Sequence, residues 1–264
     1  YVTTKATLEP ASPLFYGSFC GIKEMAEVGA RYFARKSGSK APKVAVVHLD
    51  IASGKEYFDQ VSAEMEKVGG TAVAMPIKVT AADATAQVLE IMKAKPDFVA
   101  LHGVSTTAVL LMRTLQQHGV SLPTVAYTYL GTPTVYSTLG AAAAKNLFFV
   151  SCFTPASVGE PGGVTEMSEL ADKYGLSTMK DDVNFVAGWV TGQLVARAIS
   201  KAGPAPTRAK VVQALGGNFE LDTGGVSSKV RYTNENHLGL SVLRPYGYDF
   251  GTKRYVAYGQ YGDH

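Results

Sequence analysis

Apolar positions along this chain fall into short continuous runs, each followed by a longer stretch in which they recur at helical spacing. Val44 to Leu49 is the first clear run, and Gly54 to Val68 after it sets Phe58, Val61, Met65 and Val68 on one face. Phe98 to Leu101 repeats the run, and Ser105 to His118 repeats the amphipathic stretch with Val109, Met112 and Leu115 facing inward and Ser105 as cap. Further strands are predicted at Ala72 to Ile77, Thr124 to Tyr127 and Leu147 to Ser151, and a helix capped by Asp83 buries Val88, Ile91 and Met92. Strands and helices alternating in this way make a parallel sheet covered on both faces. Such sheets bind ligands beyond the carboxyl ends of their strands, where the chain order switches. The loops after His48, His102 and Tyr127 are therefore where function is expected.

On either side of this repeat the pattern changes. A strand is predicted around Leu14 to Phe19, closed by Gly21, and a helix over 22–36 with Ile22, Met25, Ala26, Gly29, Tyr32 and Phe33 on its apolar face. Thr154 to Gly163 is rich in Pro, Gly and Ser and reads as a linker or crossing loop. Helices follow near Val164 to Tyr174 and from about Val183 to Ala202, the latter stopped by Gly203-Pro204, and Thr207 caps a short helix to Leu215. From Phe219 onward the chain reads as strand and turn, over Leu221 to Tyr232, Leu238 to Asp249 and Lys253 to Gly259. Residues 21–150 thus read as one α/β sheet domain. The segment 154–240 has helices but no parallel sheet of its own, so its apolar faces must be buried against something else.

Composition narrows the function. Hydrophobic residues make up 46% and charged residues 18% of the 264 positions, as in an ordinary globular protein. A net charge of +3, with no Lys/Arg cluster interleaved with aromatics, gives no support to a nucleic-acid partner. The longest apolar run falls far short of the ~18 residues that a membrane span needs. The two cysteines, Cys20 and Cys152, form no C-x-x-C and no Cys/His cluster, so neither a metal site nor a cofactor is expected. Two buried free thiols are the simpler reading of the pair, and a disulfide the sharper one.

No catalytic motif stands in the expected loops. His48 and Asp50 lie close in sequence with no nucleophile between them, and G-x-S-x-G and G-x-x-x-x-G-K-[ST] are both absent. His102 ends a strand at the crevice, but a lone His without a Ser, Cys or Asp partner is more often a packed residue. Ser105, Thr106 and Thr107 open a helix, where free N–H groups favour an anion, although hydroxyls there are more often caps. His237 beside Asn236 reads as structural and Trp189 as core. The tyrosines near the carboxyl end (Tyr246, Tyr248, Tyr255, Tyr258, Tyr261) read as a half-exposed strand surface. A binder is expected rather than an enzyme.

Three stretches carry a resemblance: KVAVVHLDIASGKEYFDQVSAEMEKVGGTAV from Lys43 to Val73, PDFVALHGVSTTAVLLMRTLQQHG from Pro96 to Gly119, and LDTGGVSSKVRYTNENHLG from Leu221 to Gly239. In this order the chain resembles the type I periplasmic solute-binding proteins of ABC importers, the extracellular ligand-binding receptor family, and within it the branched-chain amino-acid (Leu/Ile/Val) binding group. The resemblance implies an α/β, two-lobed type I periplasmic-binding-protein fold, parallel sheets flanked by helices, joined by three crossing segments. It places residues 1–20 at the end of lobe 1 and the first crossing, 21–151 in lobe 2, 152–242 in the remainder of lobe 1, and 243–264 in the third crossing and the return to lobe 2. The N-terminal part of lobe 1 is expected to be absent from this chain. It also sets Cys20 and Cys152 near adjacent crossings, where a bond is geometrically possible if the Cα atoms lie within roughly 7 Å.

The resemblance further implies that loops of both lobes clamp a small-molecule ligand. Lys5 and Thr7 correspond to the carboxylate-binding loop, Ser53 and Val104 to places usually aromatic, Tyr129 to the ammonium-binding acid, and Asn184 and Phe185 to the wall of lobe 1, with His102 at the crevice. A Tyr where an acid is usual would leave an α-ammonium unpaired, at a cost of several kcal/mol. The expected ligand is therefore an organic acid with an aromatic or bulky apolar part. Amino-acid binding with Asp50 serving the ammonium, or a ligand-sensing domain of a receptor or regulator, is the alternative. The implied role is solute capture by hinge closure and delivery to an ABC transporter permease. The implied place is the periplasm or, tethered, the outer face of a membrane.

Overall fold

The computed structural model describes residues 4, 8–12, 14–160 and 162–262. In chain order, β1 (Gly17–Cys20), α1 (Ile22–Ser37), β2 (Lys43–Leu49), α2 (Ala52–Lys67), β3 (Thr71–Ile77), α3 (Thr85–Ala94), β4 (Phe98–His102) and α4 (Ser105–Gln117) come first. They are followed by β5 (Thr124–Ala126), α5 (Pro133–Ala144), β6 (Leu147–Ser151), α6 (Gly163–Lys173), α7 (Val183–Lys201) and α8 (Arg208–Gly216). The chain ends with β7 (Phe219–Leu221), β8 (Val230–Tyr232), β9 (Leu238–Leu240), β10 (Arg244–Asp249) and β11 (Arg254–Ala257). Two compact units result, one from residues 1–21 and 152–243, the other from 22–151 and 244–264.

The second unit is built on a seven-stranded sheet of order β11-β10-β6-β5-β4-β2-β3. Strands β2 to β6 are mutually parallel, and β10 runs antiparallel to both β6 and β11. The apolar runs are continuous because these strands are covered on both faces: Val44, Ala45, Val46 and Val47 are all fully buried, as are Val99, Ala100 and Leu101. The chain steps outward from β2 to β3 and then back across β2 to β4. Right-handed crossovers accordingly put α2 on one face and α3, α4 and α5 on the other. Helix α2 packs with α1, and α4 packs with α5.

Helix α5 has no counterpart in the sequence reading, which ran from the strand at Thr124 directly to the strand at Leu147. Its start is nonetheless written as a cap: Thr132 Oγ1 accepts from Val135 N–H at 3.4 Å, and Pro133 occupies the first helical position. Gly140, at φ 69°, breaks the helix, and Arg113 donates to the Thr138 carbonyl at 2.8 Å. Two of the five tyrosines near the carboxyl end also differ from expectation. Tyr246 and Tyr255 are core residues, Tyr246 stacks on Phe149 at 5.2 Å, and Tyr248 stacks on Tyr136 at 4.9 Å. Tyr246 and Tyr255 close the antiparallel side of the sheet, whereas Tyr248, Tyr258 and Tyr261 are half-exposed as expected.

In the first unit, β1 pairs in parallel with β9, and β7 with β8 makes an antiparallel hairpin. This small parallel pair draws one strand from residues 17–20, so the segment 154–240 takes part in parallel pairing through β9 alone. Asp182 caps α7, accepting from Asn184 N–H at 2.8 Å, and Thr207 caps α8, accepting from Lys210 N–H at 3.3 Å. His237 is structural: its Nδ1 lies 2.8 Å from the Ser12 carbonyl and its ring stacks 4.1 Å from Tyr16. Cys20 and Cys152, read first as free thiols, are joined in a disulfide with Cα atoms 6.0 Å apart. Composition alone offered no reason to pair them. The fold supplies it, by bringing the end of β1 against the first residue beyond β6 across 132 positions of sequence.

Candidate functional site

The reversal of chain order between β2 and β4 places the loops after β2, β4 and β5 side by side at one edge of the second unit. His48 and His102 are in-register partners at the ends of β2 and β4. Beyond them, Gly54 lets the first turn of α2 settle onto the end of β2, since a Cβ there would lie 2.0 Å from the Leu49 carbonyl oxygen. Ser53, half-buried, sits in that turn.

The turn after β4 is held differently from the sequence expectation. The cap position of α4 is Val104, not Ser105, and Thr107 Oγ1 reaches back to accept from Val104 N–H at 3.3 Å. Val104 itself is exposed. After β5 the chain makes a single 3₁₀ turn, Thr128–Leu130, fixed by the Thr128 hydroxyl donating to the Val150 carbonyl at 2.7 Å. Tyr129 projects half-buried from that turn. The Tyr127 hydroxyl donates to the Gly103 carbonyl and so ties the β5 loop to the β4 loop.

These loops surround a run of rings. Tyr57 lies 5.5 Å from His102, His102 stacks on Tyr127 at 4.9 Å, and Tyr127 meets Tyr129 edge-on at 5.2 Å. Tyr57 and Tyr127 were not among the residues singled out from the sequence. Tyr57, Val61 and Met65 recur every four positions on the buried side of α2, and that spacing was the available signal. Phe58, expected on the buried face, is half-buried instead and stacks beside His48 at 5.8 Å.

The buried rings of this edge are uncharged. Burial, with a smaller contribution from His48, holds His102 down at about 4, so its imidazole is uncharged near pH 7. Burial pushes the Tyr127 hydroxyl up to about 12 and raises that of Tyr57 as well. Asp50 is the one carboxylate in the three loops, and it is exposed, with the Lys55 ammonium 3.6 Å away. The His102 Nδ1 is buried and has no hydrogen-bond partner among the described residues.

Ser53, His102, Val104 and Tyr129 thus share one edge of the second unit. Asn184 and Phe185 lie in the first turn of α7 in the first unit, Asn184 exposed and bonded through Nδ2 to Asp182 Oδ1 at 3.0 Å, Phe185 half-buried. Lys5 and Thr7 lie outside the described residues. No His/Cys/Asp/Glu group able to hold a metal occurs among the described residues, and none of their helices is long and apolar enough to cross a membrane.

The family described as periplasmic binding protein matches residues 3–246. The chain belongs to this family. Its fold is that of the type I binding proteins. A fatty acid ABC transporter substrate-binding protein from Thermomonospora curvata superposes with a TM-score of 0.83 at 20% identity, covering 96% of this chain and 66% of that one. A branched-chain amino acid ABC transporter protein from Thermus thermophilus, solved with bound valine, gives 0.79 at 21% identity, covering 93% of this chain and 66% of that one. An extracellular ligand-binding receptor from Rhodopseudomonas palustris gives 0.77 at 20% identity, covering 97% and 73%. This periplasmic binding protein therefore spans about two thirds of the length of the first two of these relatives. No curated protein sequence matches it.

Proposed function

We propose that this protein is the solute-binding component of an ABC importer, that its ligand is a small organic acid with an aromatic or bulky apolar body, and that it works in the periplasm or tethered at the outer face of a membrane. The observation that carries the ligand class is the half-buried Tyr129 ring, backed by the buried rings of Tyr127, His102 and Tyr57, in loops whose one carboxylate, Asp50, is exposed beside Lys55. An α-ammonium set against this edge would lose its water without gaining a carboxylate. A flat apolar ring gains area and face-to-edge contacts there. Small side chains at Ser53 and Val104 leave room for the ligand body, and the Tyr129 ring supplies an apolar face. Relatives of this fold carry names that include a fatty acid and bound valine, both of them carboxylates, so an acid group is a common element of the class.

The mechanism in this reading is capture without chemistry. Ligand contacts on both lobes favour a closed state by their differential affinity for it, and the closed state is what a membrane permease recognises. Thr7, Asn184 and Phe185 complete the ligand set from the first lobe in this proposal. The test is a thermal-shift and calorimetric survey of aromatic and aliphatic carboxylates, with chromatography of each ligand after incubation. Saturable binding with the ligand recovered unchanged is expected; turnover of any bound acid, or binding of none, would overturn the reading. Amino-acid binding is the second reading, and Asp50 is the residue that would have to serve it, by leaving Lys55.

A further inference from the structure

A surface helix of a globular protein ordinarily carries several charged residues on the side away from the core. Helix α4 carries one charge along its whole length, Arg113, and α5 beside it carries none. Ala108, Leu111, Met112 and Leu115 take the buried side of α4, which leaves Val109 and Leu110 half-buried. A cavity of about 540 Å³ opens here, lined by Val109, Leu110 and Val135, by Thr138 of α5 and by Asp83 and Thr85 at the start of α3. That size, with an apolar lining and a few polar groups, is typical of a small-molecule site.

One guanidinium gives the cavity its charge preference. Arg113 donates through Nη2 to the Thr138 carbonyl at 2.8 Å, which ties its plane to α5. Among the described residues no carboxylate forms an ion pair with it. Asp83, the one acid of the lining, is engaged elsewhere: its Oδ1 accepts from Thr85 N–H at 3.0 Å. That bond stands at the positive end of α3, where the helix dipole offsets a carboxylate's charge. Glu90 and Lys93, the two charges within α3, lie 3.9 Å apart and offset each other.

We propose that this groove is a second small-molecule site, for an amphiphilic monocarboxylate whose apolar chain covers Val109, Leu110 and Val135 and whose carboxylate pairs with Arg113. A guanidinium only donates, so the group that meets it must accept. Its planar fork favours a carboxylate, through charge-assisted bonds that a neutral carbonyl or water does not match. The apolar lining favours a chain over a small inorganic anion, because only the chain gains by leaving water. None of Ser53, His102, Val104 and Tyr129 lines the groove, so the proposal does not rest on the reading of the loop edge.

The experiment is amide shift mapping of the isotope-labelled protein with octanoate, octylammonium and inorganic phosphate, repeated with octanoate on Arg113→Gln and Arg113→Lys. Arg113 is exposed, so both variants are expected to fold, and circular dichroism reports it. Octanoate should shift the amides of Val109, Leu110 and Val135 saturably, and the other two probes should bind there at least about tenfold more weakly. Arg113→Gln should weaken octanoate about tenfold or more, and Arg113→Lys, which keeps the charge without the fork, less. Octylammonium or phosphate binding as tightly as octanoate, affinity unchanged in Arg113→Gln, or no shift at these amides overturns the proposal. Shifts confined to Ser53 and Tyr129 overturn it too, while leaving the reading of the loop edge intact.

Discussion

His48 and His102 stand as in-register partners on two adjacent parallel strands, both buried, at the point where the chain order of the sheet reverses. Burial, with a smaller contribution from the neighbouring His48, disfavours the charged form of His102. The folded protein therefore holds His102 as a neutral base at about 4, against 6.5 for the free side chain. In the unfolded chain this group takes up a proton as the pH falls through 6.5; in the folded chain it does not until about 4. Stability conferred by the neutral form is thus complete above pH 6.5 and is lost as the pH falls toward 4, by about 3 kcal/mol in all. Urea midpoints measured across that window should fall with acidity in the unaltered protein. His102→Phe should lose most of that slope, and an unchanged slope would mean that other groups account for it.

The Cys20–Cys152 bond closes a loop across 132 residues and lies wholly in the unit formed by 1–21 and 152–243. Cross-links of this kind restrict the unfolded chain most when the loop is long. Reduction, or the double change Cys20→Ala with Cys152→Ala, should lower the stability of that unit by about 2–5 kcal/mol. Differential scanning calorimetry with and without a reductant checks this, and identical thermograms would remove the bond from the account.

Gly54 is fixed by the approach of α2 to the end of β2, since a Cβ at that position would lie 2.0 Å from the Leu49 carbonyl oxygen. Backbone cannot yield to a methyl group as a flexible side chain does. Gly54→Ala should cost about 2 kcal/mol or more and displace the turn that carries Ser53. A chemical denaturation curve matching that of the unaltered protein would show that the turn accommodates the methyl group.

Tyr129 meets Tyr127 edge-on at 5.2 Å and ends the aromatic run at the half-buried surface. In the proposed site it offers its ring to the ligand, so Tyr129→Ala should weaken the binding of aromatic acids about tenfold, in keeping with the ~1 kcal/mol that an aromatic pair contributes beyond area. Unchanged affinity in a titration would take Tyr129 out of the site.

Much of this edge was legible in the sequence, because the features that place it are local. The run Val44 to Leu49 followed by Gly54, and the run ending at His102 followed by Ser105, locate two of its three loops by alternation of strand and helix alone. What was not legible depended on tertiary packing. Nothing in the spacing shows that Tyr127 folds back over His102, or that Thr107 rather than Ser105 serves the first turn of α4. Helix α5 was missed for a different reason: after Pro133 its apolar side is narrow and then passes into small residues, Gly140 to Ala144, that carry little periodicity. The disulfide needed the fold itself, since only the meeting of β1 with the chain beyond β6 brings Cys20 to Cys152. The two-lobed family fold, by contrast, was readable from three separated stretches in the right order, and the match over residues 3–246 agrees with it.

The central claim is that the ligand is an acid without an α-ammonium, and two compounds that differ in that group alone test it most directly. Calorimetric titration of 3-phenylpropanoate and of L-phenylalanine should show the propanoate binding at least about a hundredfold more tightly, since an unpaired ammonium loses several kcal/mol on burial. Phenylalanine binding as tightly as the propanoate, or more tightly, would contradict the account and assign the site to amino acids.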